Sequence, residues 1–301
     1  MISKRTLPYI ALLIGVSALS MTGIFVRWAQ APGTVTAAYR MSISSLALLP
    51  FFLKKESGRK PAGWGWLLLV VAGGLFIAGD HGFLNTAIGY TRIANTTLLN
   101  NMAPLWVALF ALLVWKEQLN RTFWLGLLAA IVGAVVILGT DLIIHPQFGL
   151  GDALALVSSF FYAAYFLITQ RSREKISALR YLFFANIASA VVLIAFNLAI
   201  GAPLTGYPMR TYLVFIAIGL FSHTIGYFSV TYALGHLPAS IVAPTMIAQL
   251  MFTSLLAIPL AGEPLAAPQI LGGLAVLTGI FLVNRSNRRQ AQLEGVPATE
   301  Q

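Results

Sequence analysis

Of 301 residues, 58% are hydrophobic and only 9% charged, and the mean hydropathy is +0.82; a soluble domain carries roughly 25% charged residues, so water is excluded as the main solvent. At about 20 residues per helical crossing the length leaves room for about ten to twelve spans and for no separate soluble domain. The net charge of +10 does not point to nucleic acid, because Lys and Arg sit in short gaps between apolar runs, and the absence of cysteine excludes disulfides, thiolate metal sites and cysteine nucleophiles.

The first apolar run, Leu7–Trp28, follows Lys4 and Arg5 as a signal peptide would. It is too long for a signal h-region and more runs follow, so it is read as an uncleaved first span. The next are Thr34–Leu53, Trp64–Tyr90, Ile93–Trp115 and Phe123–Gly139. Then come Gly151–Gln170, Leu179–Ile200, Thr211–Leu234, Pro238–Leu260 and Ala267–Val283, ten in all. Each is apolar throughout rather than alternating, which indicates helices and not barrel strands. The fold class expected is all-α integral membrane.

Loop charge sets the orientation. With a cytoplasmic N-terminus, the inner segments hold fifteen Lys and Arg: Lys4, Arg5, Lys54, Lys55, Arg59, Lys60, Lys116, Arg121, Arg171, Arg173, Lys175, Arg180, Arg285, Arg288 and Arg289. The outer segments hold three, Arg27, Arg92 and Arg210. This bias places both termini in the cytoplasm of a cell whose inner membrane the chain crosses. A single cysteine introduced by Ser57→Cys, in the loop after span 2, is expected to react with an impermeant thiol reagent only after permeabilisation. Labelling in intact cells would reverse the orientation.

The two halves repeat. Aligning Glu117 with Glu263 without gaps also pairs Ala87 with Ala233, Gly89 with Gly235, Gly126 with Gly272 and Gly133 with Gly279. Leu109 with Leu255, Ala111 with Ala257, Leu125 with Leu271 and Ala129 with Ala275 agree. Five spans per half is an odd number, so the second copy must cross upside down: ten transmembrane helices as two inverted five-helix repeats, 1–140 and 141–284, before a cytoplasmic tail, 285–301. Inverted repeats are characteristic of alternating-access transporters, whose substrate lies near the midplane between them.

The segment Ala87–Gly133, with Pro104 and the turn Lys116-Glu117-Gln118-Leu119 ahead of Gly126 and Gly133, resembles the EamA-type family of the drug/metabolite transporter superfamily. Ala233–Gly279 repeats the pattern with Gly262-Glu263-Pro264-Leu265, and Arg40 in Tyr39-Arg40-Met41 matches the family's arginine in the second helix. The resemblance covers nearly the whole chain. It implies a ten-helix exporter or facilitator of amino acids, other metabolites or drugs, with a central cavity lined by spans 1, 3, 4, 6, 8 and 9. The family's second-half proline would fall at Leu250 and is missing; Pro244 lies six residues earlier.

An ionisable group within a span is costly and marks function by default. Asp80, halfway along span 3, is the one deep acid; His223 sits at similar depth in span 8, and Arg40 is the base within span 2. A substrate-binding or proton-coupling pair of Asp80 and His223 is therefore expected, the alternative being a static pair of Asp80 with Arg40 or His223. His81 is expected to point some 100° from Asp80 on its helix and to serve in packing. Asn100 and Asn101 extend a polar face in span 4, and Thr245, Gln249 and Thr253 form a stripe on span 9 that lines a cavity or binds helices. Tyr162 and Tyr227 add aromatic walls. Gly126/Gly133 and Gly272/Gly279 form seams for close helix contact, and Glu117 and Glu263 organise the turns after spans 4 and 9.

No Gly-x-x-x-x-Gly-Lys-Ser/Thr loop, His-Glu-x-x-His or Gly-x-Ser-x-Gly motif is present, which argues against an ATP engine and the usual zinc-protease and serine-hydrolase sites. No catalytic residue, metal site or cofactor is expected. The function expected is a secondary transporter of a small molecule. The rivals are a lipid or polyprenyl-carrier flippase, which needs a cavity open sideways to lipid, and an intramembrane enzyme built on Asp80 and His223. The partners expected are a small-molecule substrate and the bilayer, with a homodimer left open and nucleic acid not expected.

Overall fold

The structure, a computed structural model, describes residues 6–56, 64–138, 148–261 and 266–293. Among these every regular element is helical. Ten helices are long and apolar enough to cross a membrane: span 1 (Leu7–Ala29), span 2 (Gly33–Lys55), span 3 (Gly65–Ala87), span 4 (Asn95–Leu113) and span 5 (Arg121–Leu138). The second five are span 6 (Leu150–Arg173), span 7 (Ala178–Ala199), span 8 (Met209–Ala233), span 9 (Ala239–Leu256) and span 10 (Ala267–Asn287). A 23-residue helix is about 34 Å long, enough for a hydrocarbon layer of about 30 Å. Lipid reverses the usual burial pattern. Leu68 and Leu113 are 75% and 71% exposed, whereas Asp80 and Arg40 are only 3% and 5% exposed.

The inversion is visible in the seam between spans 5 and 10. A Cβ added to Gly126 would lie 2.7 Å from the Gly279 carbonyl oxygen, and one on Gly133 2.6 Å from that of Gly272. Cβ atoms on Gly272 and Gly279 would meet Gly133 O and Gly126 O at 2.6 and 2.5 Å. The early glycine of one helix thus faces the late glycine of the other, so the helices run antiparallel. Exchanging the repeats exchanges the two contacts, as an in-plane two-fold requires. Only a hydrogen side chain lets the backbones meet so closely.

Spans 2 and 7 form a second antiparallel seam, closed by hydrogen bonds from Thr34 Oγ1 to Asn197 Oδ1 (2.7 Å) and from Asn186 Nδ2 to Ser44 Oγ (2.9 Å). Between these seams the first helices are exchanged. Span 6 packs on spans 3 and 4 of the other repeat, and span 1 packs on spans 8 and 9.

Four spans are interrupted. Span 1 breaks at Met21, and span 4 at Asn101 and Met102, where Pro104 cannot donate to Asn100. Span 9 breaks at Ile247, the repeat-related height, with i→i−3 bonds from Ile247 N to Pro244 O and from Leu250 N to Ile247 O. The break is present although Leu250 replaces the family's proline, and it lies on the C-terminal side of Pro244. The carbonyl that Pro244 frees, that of Ser240, lies on the other side, so Pro244 does not cause it directly. Span 8 is π-helical over Ile218–Tyr227, and Thr224 Oγ1 donates to Gly219 O five residues back (2.8 Å).

At the lysine-bearing end, Arg180 Nη2 lies 3.2 Å from Glu56 Oε2 and donates to Glu56 O (2.7 Å), both side chains buried. Its guanidinium stands 5.8 Å from the Trp66 ring centroid. Sequence reasoning did not pair these residues, since 124 positions separate them. Arg180→Ala removes the buried guanidinium that faces the buried Glu56 carboxylate, which is expected to cost about 3–5 kcal/mol. Thermal unfolding in detergent would measure it, and Arg180→Met with Glu56→Gln should recover most of the loss.

Candidate functional site

Asp80 is fixed by three spans. Its Oδ1 accepts from Ser158 Oγ of span 6 (2.6 Å) and from Asn100 Nδ2 of span 4 (2.9 Å), and Asn100 also donates to Ser158 Oγ (2.8 Å). Its Oδ2 lies 3.4 Å from Nδ1 of His81. Arg40 of span 2 also reaches that ring, with Nη2 against Nε2 and 3.1 Å from Nδ1. Guanidinium nitrogens only donate, so the ring nitrogen that Arg40 contacts is an acceptor and carries no proton. The imidazole is therefore a bridge between a cation and a carboxylate that do not touch. The expectation that His81 turns away from Asp80 is not met. Neighbouring residues diverge by about 100° at the helix axis, but a ring held by Arg40 swings back across that angle.

A second polar set lies in the other repeat. His223 Nε2 is 2.9 Å from Asn186 Oδ1, and the Asn186 amide donates to Ser44, whose hydroxyl lies 2.9 Å from Thr224 Oγ1. The His223 ring rests on Tyr227, centroids 4.5 Å apart. Asn186 follows Arg40 by the 146 positions that separate Glu117 from Glu263. An arginine–histidine pair between spans 2 and 3 is thus matched by an asparagine–histidine pair between spans 7 and 8. Asp80 and His223 belong to different hydrogen-bonded sets, the second of which includes Ser44 and Asn186 of the span 2–span 7 seam.

The EamA-like transporter family model matches residues 6–139 and again 149–285, each segment containing five spans. The chain belongs to the EamA-like transporter family. It is similar to an uncharacterized transporter of Archaeoglobus fulgidus, 26% identical over 250 residues that cover 82% of this chain and 86% of the relative. The uncharacterized transporter YdfC of Bacillus subtilis is 23% identical, with 92% of each chain covered. A crystal structure titled only as that of a protein superposes with a TM-score of 0.78 at 20% identity, over 94% of this chain and 99% of that one. It is a likeness of fold. As an EamA-like protein the chain is a multi-pass membrane transporter, as the sequence reading had it.

The other candidate residues of this EamA-like chain divide. Tyr162 stacks parallel to Tyr165 (centroids 6.5 Å), whose edge meets Tyr227 at 5.8 Å. Asn101 Nδ2 bonds Thr97 O (2.8 Å) at the break in span 4. Thr245 and Gln249 bond backbone oxygens of their own span, those of Ile241 (2.8 Å) and Met246 (3.1 Å). Thr253 reaches span 1 at Ser20 O (2.7 Å), beside the break at Met21, so this end of the stripe binds helices together. Sequence reasoning missed Ser158 and Asn186. Ser158 gives no signal among many hydroxyls, but Asn186 was discoverable as the repeat partner of Arg40.

Glu117, after span 4, accepts from Ser240 Oγ of span 9 (2.8 Å). Burial pushes its carboxyl above the ordinary range, opposed by that hydrogen bond. Its side chain thus fastens the turn after span 4 to the start of span 9. Glu263 lies outside the described residues.

Proposed function

We propose that this chain carries a small metabolite or drug, amino acids among the first to test, across the cytoplasmic membrane by alternating access, with Asp80 as the coupling or recognition group. The observation that carries this is where Asp80 sits. Its carboxylate is buried where spans 3 and 4 of one repeat meet span 6 of the other, one imidazole away from Arg40. A carboxylate is kept there at a cost of several kcal/mol. Rocking of the bundle of spans 3, 4 and 6 against that of spans 1, 8 and 9 would change which side of the membrane reaches it. The loop charges support an orientation with both termini in the cytoplasm.

Proteoliposomes containing the purified chain, offered a panel of radiolabelled amino acids and nucleosides under an imposed pH gradient, test the reading. Saturable flux of at least one compound above empty vesicles is expected. Flux of none, with rapid exchange of a fluorescent lipid between leaflets, would replace it with the flippase.

A further inference from the structure

We propose that Arg40 and His223 together bind a carboxylate that brings its own hydrogen-bond donor, an α-hydroxy- or α-amino-carboxylate, between the two repeats. The purpose of such a site rests on the transporter reading; its test does not.

Arg40 is a permanent cation, 5% exposed, whose direct hydrogen-bond partner is an imidazole. The Asp80 carboxylate is reached only through His81, and its Oδ1 is already occupied by Ser158 and Asn100. Buried charges are paired, and an arginine fork is shaped for a planar oxyanion. Among the described residues the Nε–H of the fork has no hydrogen-bond partner. A buried N–H left open is unfavourable, and an occupant that accepts from it removes the penalty.

His223, 1% exposed, supplies the second half. Asn186 donates through Nδ2 to Ser44, so it presents Oδ1 to His223, and Nε2 of the imidazole must donate. In a neutral ring the other nitrogen, Nδ1, is then an acceptor, and it too is buried without a partner among the described residues. Ser44, one helical turn beyond Arg40, is tied to Asn186 and Thr224, the first bonded to His223 and the second next to it in sequence. One open donor on a cation and one open acceptor on a neutral ring ask for a ligand with both an oxyanion and an O–H or N–H group. A bare carboxylate answers Arg40 alone.

The test uses the full chain purified in detergent, with unfolding temperature followed against increasing propionate, lactate and alanine at constant pH and ionic strength. Ligands that bind the folded state raise that temperature by mass action. Lactate and alanine are expected to act at concentrations at least about tenfold lower than propionate, a difference of about 1.4 kcal/mol. A response to lactate alone or alanine alone supports the site and separates a hydroxyl donor from an ammonium. Arg40→Gln should remove all three responses, and His223→Phe, which keeps a ring on Tyr227, should reduce lactate to the level of propionate. Should Arg40→Gln not fold, the wild-type ratio and His223→Phe still decide. Equal responses to propionate, lactate and alanine, no response to any of them, or an undiminished preference in His223→Phe would overturn the proposal. Flux of a panel compound without any such response would remove this site and leave the transporter reading standing. Binding without flux would do the reverse.

Discussion

Asp80→Asn is expected to reduce transport in proteoliposomes at least about a hundredfold, equivalent to about 2.7 kcal/mol, while the protein inserts and unfolds at nearly the wild-type temperature. The asparagine keeps an oxygen that accepts from Ser158 and Asn100, so the junction of spans 3, 4 and 6 keeps its hydrogen bonds. What it loses is the titratable negative charge facing His81. His81→Gln looks mild from sequence, as a swap of one packing residue for another. The structure raises the expected effect to within about tenfold of Asp80→Asn, a gap of about 1.4 kcal/mol, because the imidazole contacts both Arg40 and Asp80 and a glutamine amide must reproduce both contacts without the rigid ring that holds its two nitrogens in place. Both variants need matched expression and an imposed pH gradient. Normal flux with unchanged pH dependence in Asp80→Asn would make the charge structural. Failure of that variant to insert would move attention to the polar stripe of span 9.

Gly133→Leu is expected to be the most damaging single change for stability. Its first added atom would meet Gly272 O at 2.6 Å and Val276 N at 2.7 Å, and backbone cannot turn aside as a side chain can. Overpacking costs up to about 3 kcal/mol even where side chains rearrange. At about 2–4 °C per kcal/mol the unfolding midpoint should fall by about 6–12 °C or more. Gly23→Leu is the control, since nothing stands within 4 Å of a Cβ there. Equal losses in the two would mean that spans 5 and 10 are not held by the glycine contact.

Much of the architecture was legible because lipid imposes one rule on every span. Ten apolar runs became ten helices, and the common offset of Gly126, Gly133 and Glu117 announced the inversion. Asp80 and Arg40 stood out for the same reason, as charges where charges are expensive. What stayed hidden depends on packing. The partners of Asp80 come from positions 20 and 78 residues away, and the Glu56–Arg180 pair spans 124. The π-helical turn of span 8 carries no sequence mark, yet it changes the angle between successive side chains and so decides where His223 points. The stripe Thr245, Gln249, Thr253 shows the limit of periodicity: spacing put three polar groups in line without saying that one of them would close on another helix.

The exchange of first helices also constrains biosynthesis. Ala18 and Ser20 of span 1 find their partners Ser222 and Thr253 only after 204 and 233 further residues. At about 5–20 residues per second, span 1 waits about 10–45 s in the bilayer before spans 8 and 9 leave the ribosome. The first half of the polypeptide therefore cannot complete its own bundle while it is being made. Span 6 arrives in the middle of translation and finds spans 3 and 4 already inserted. Span 1 can thus be seated only after spans 8 and 9 have been made.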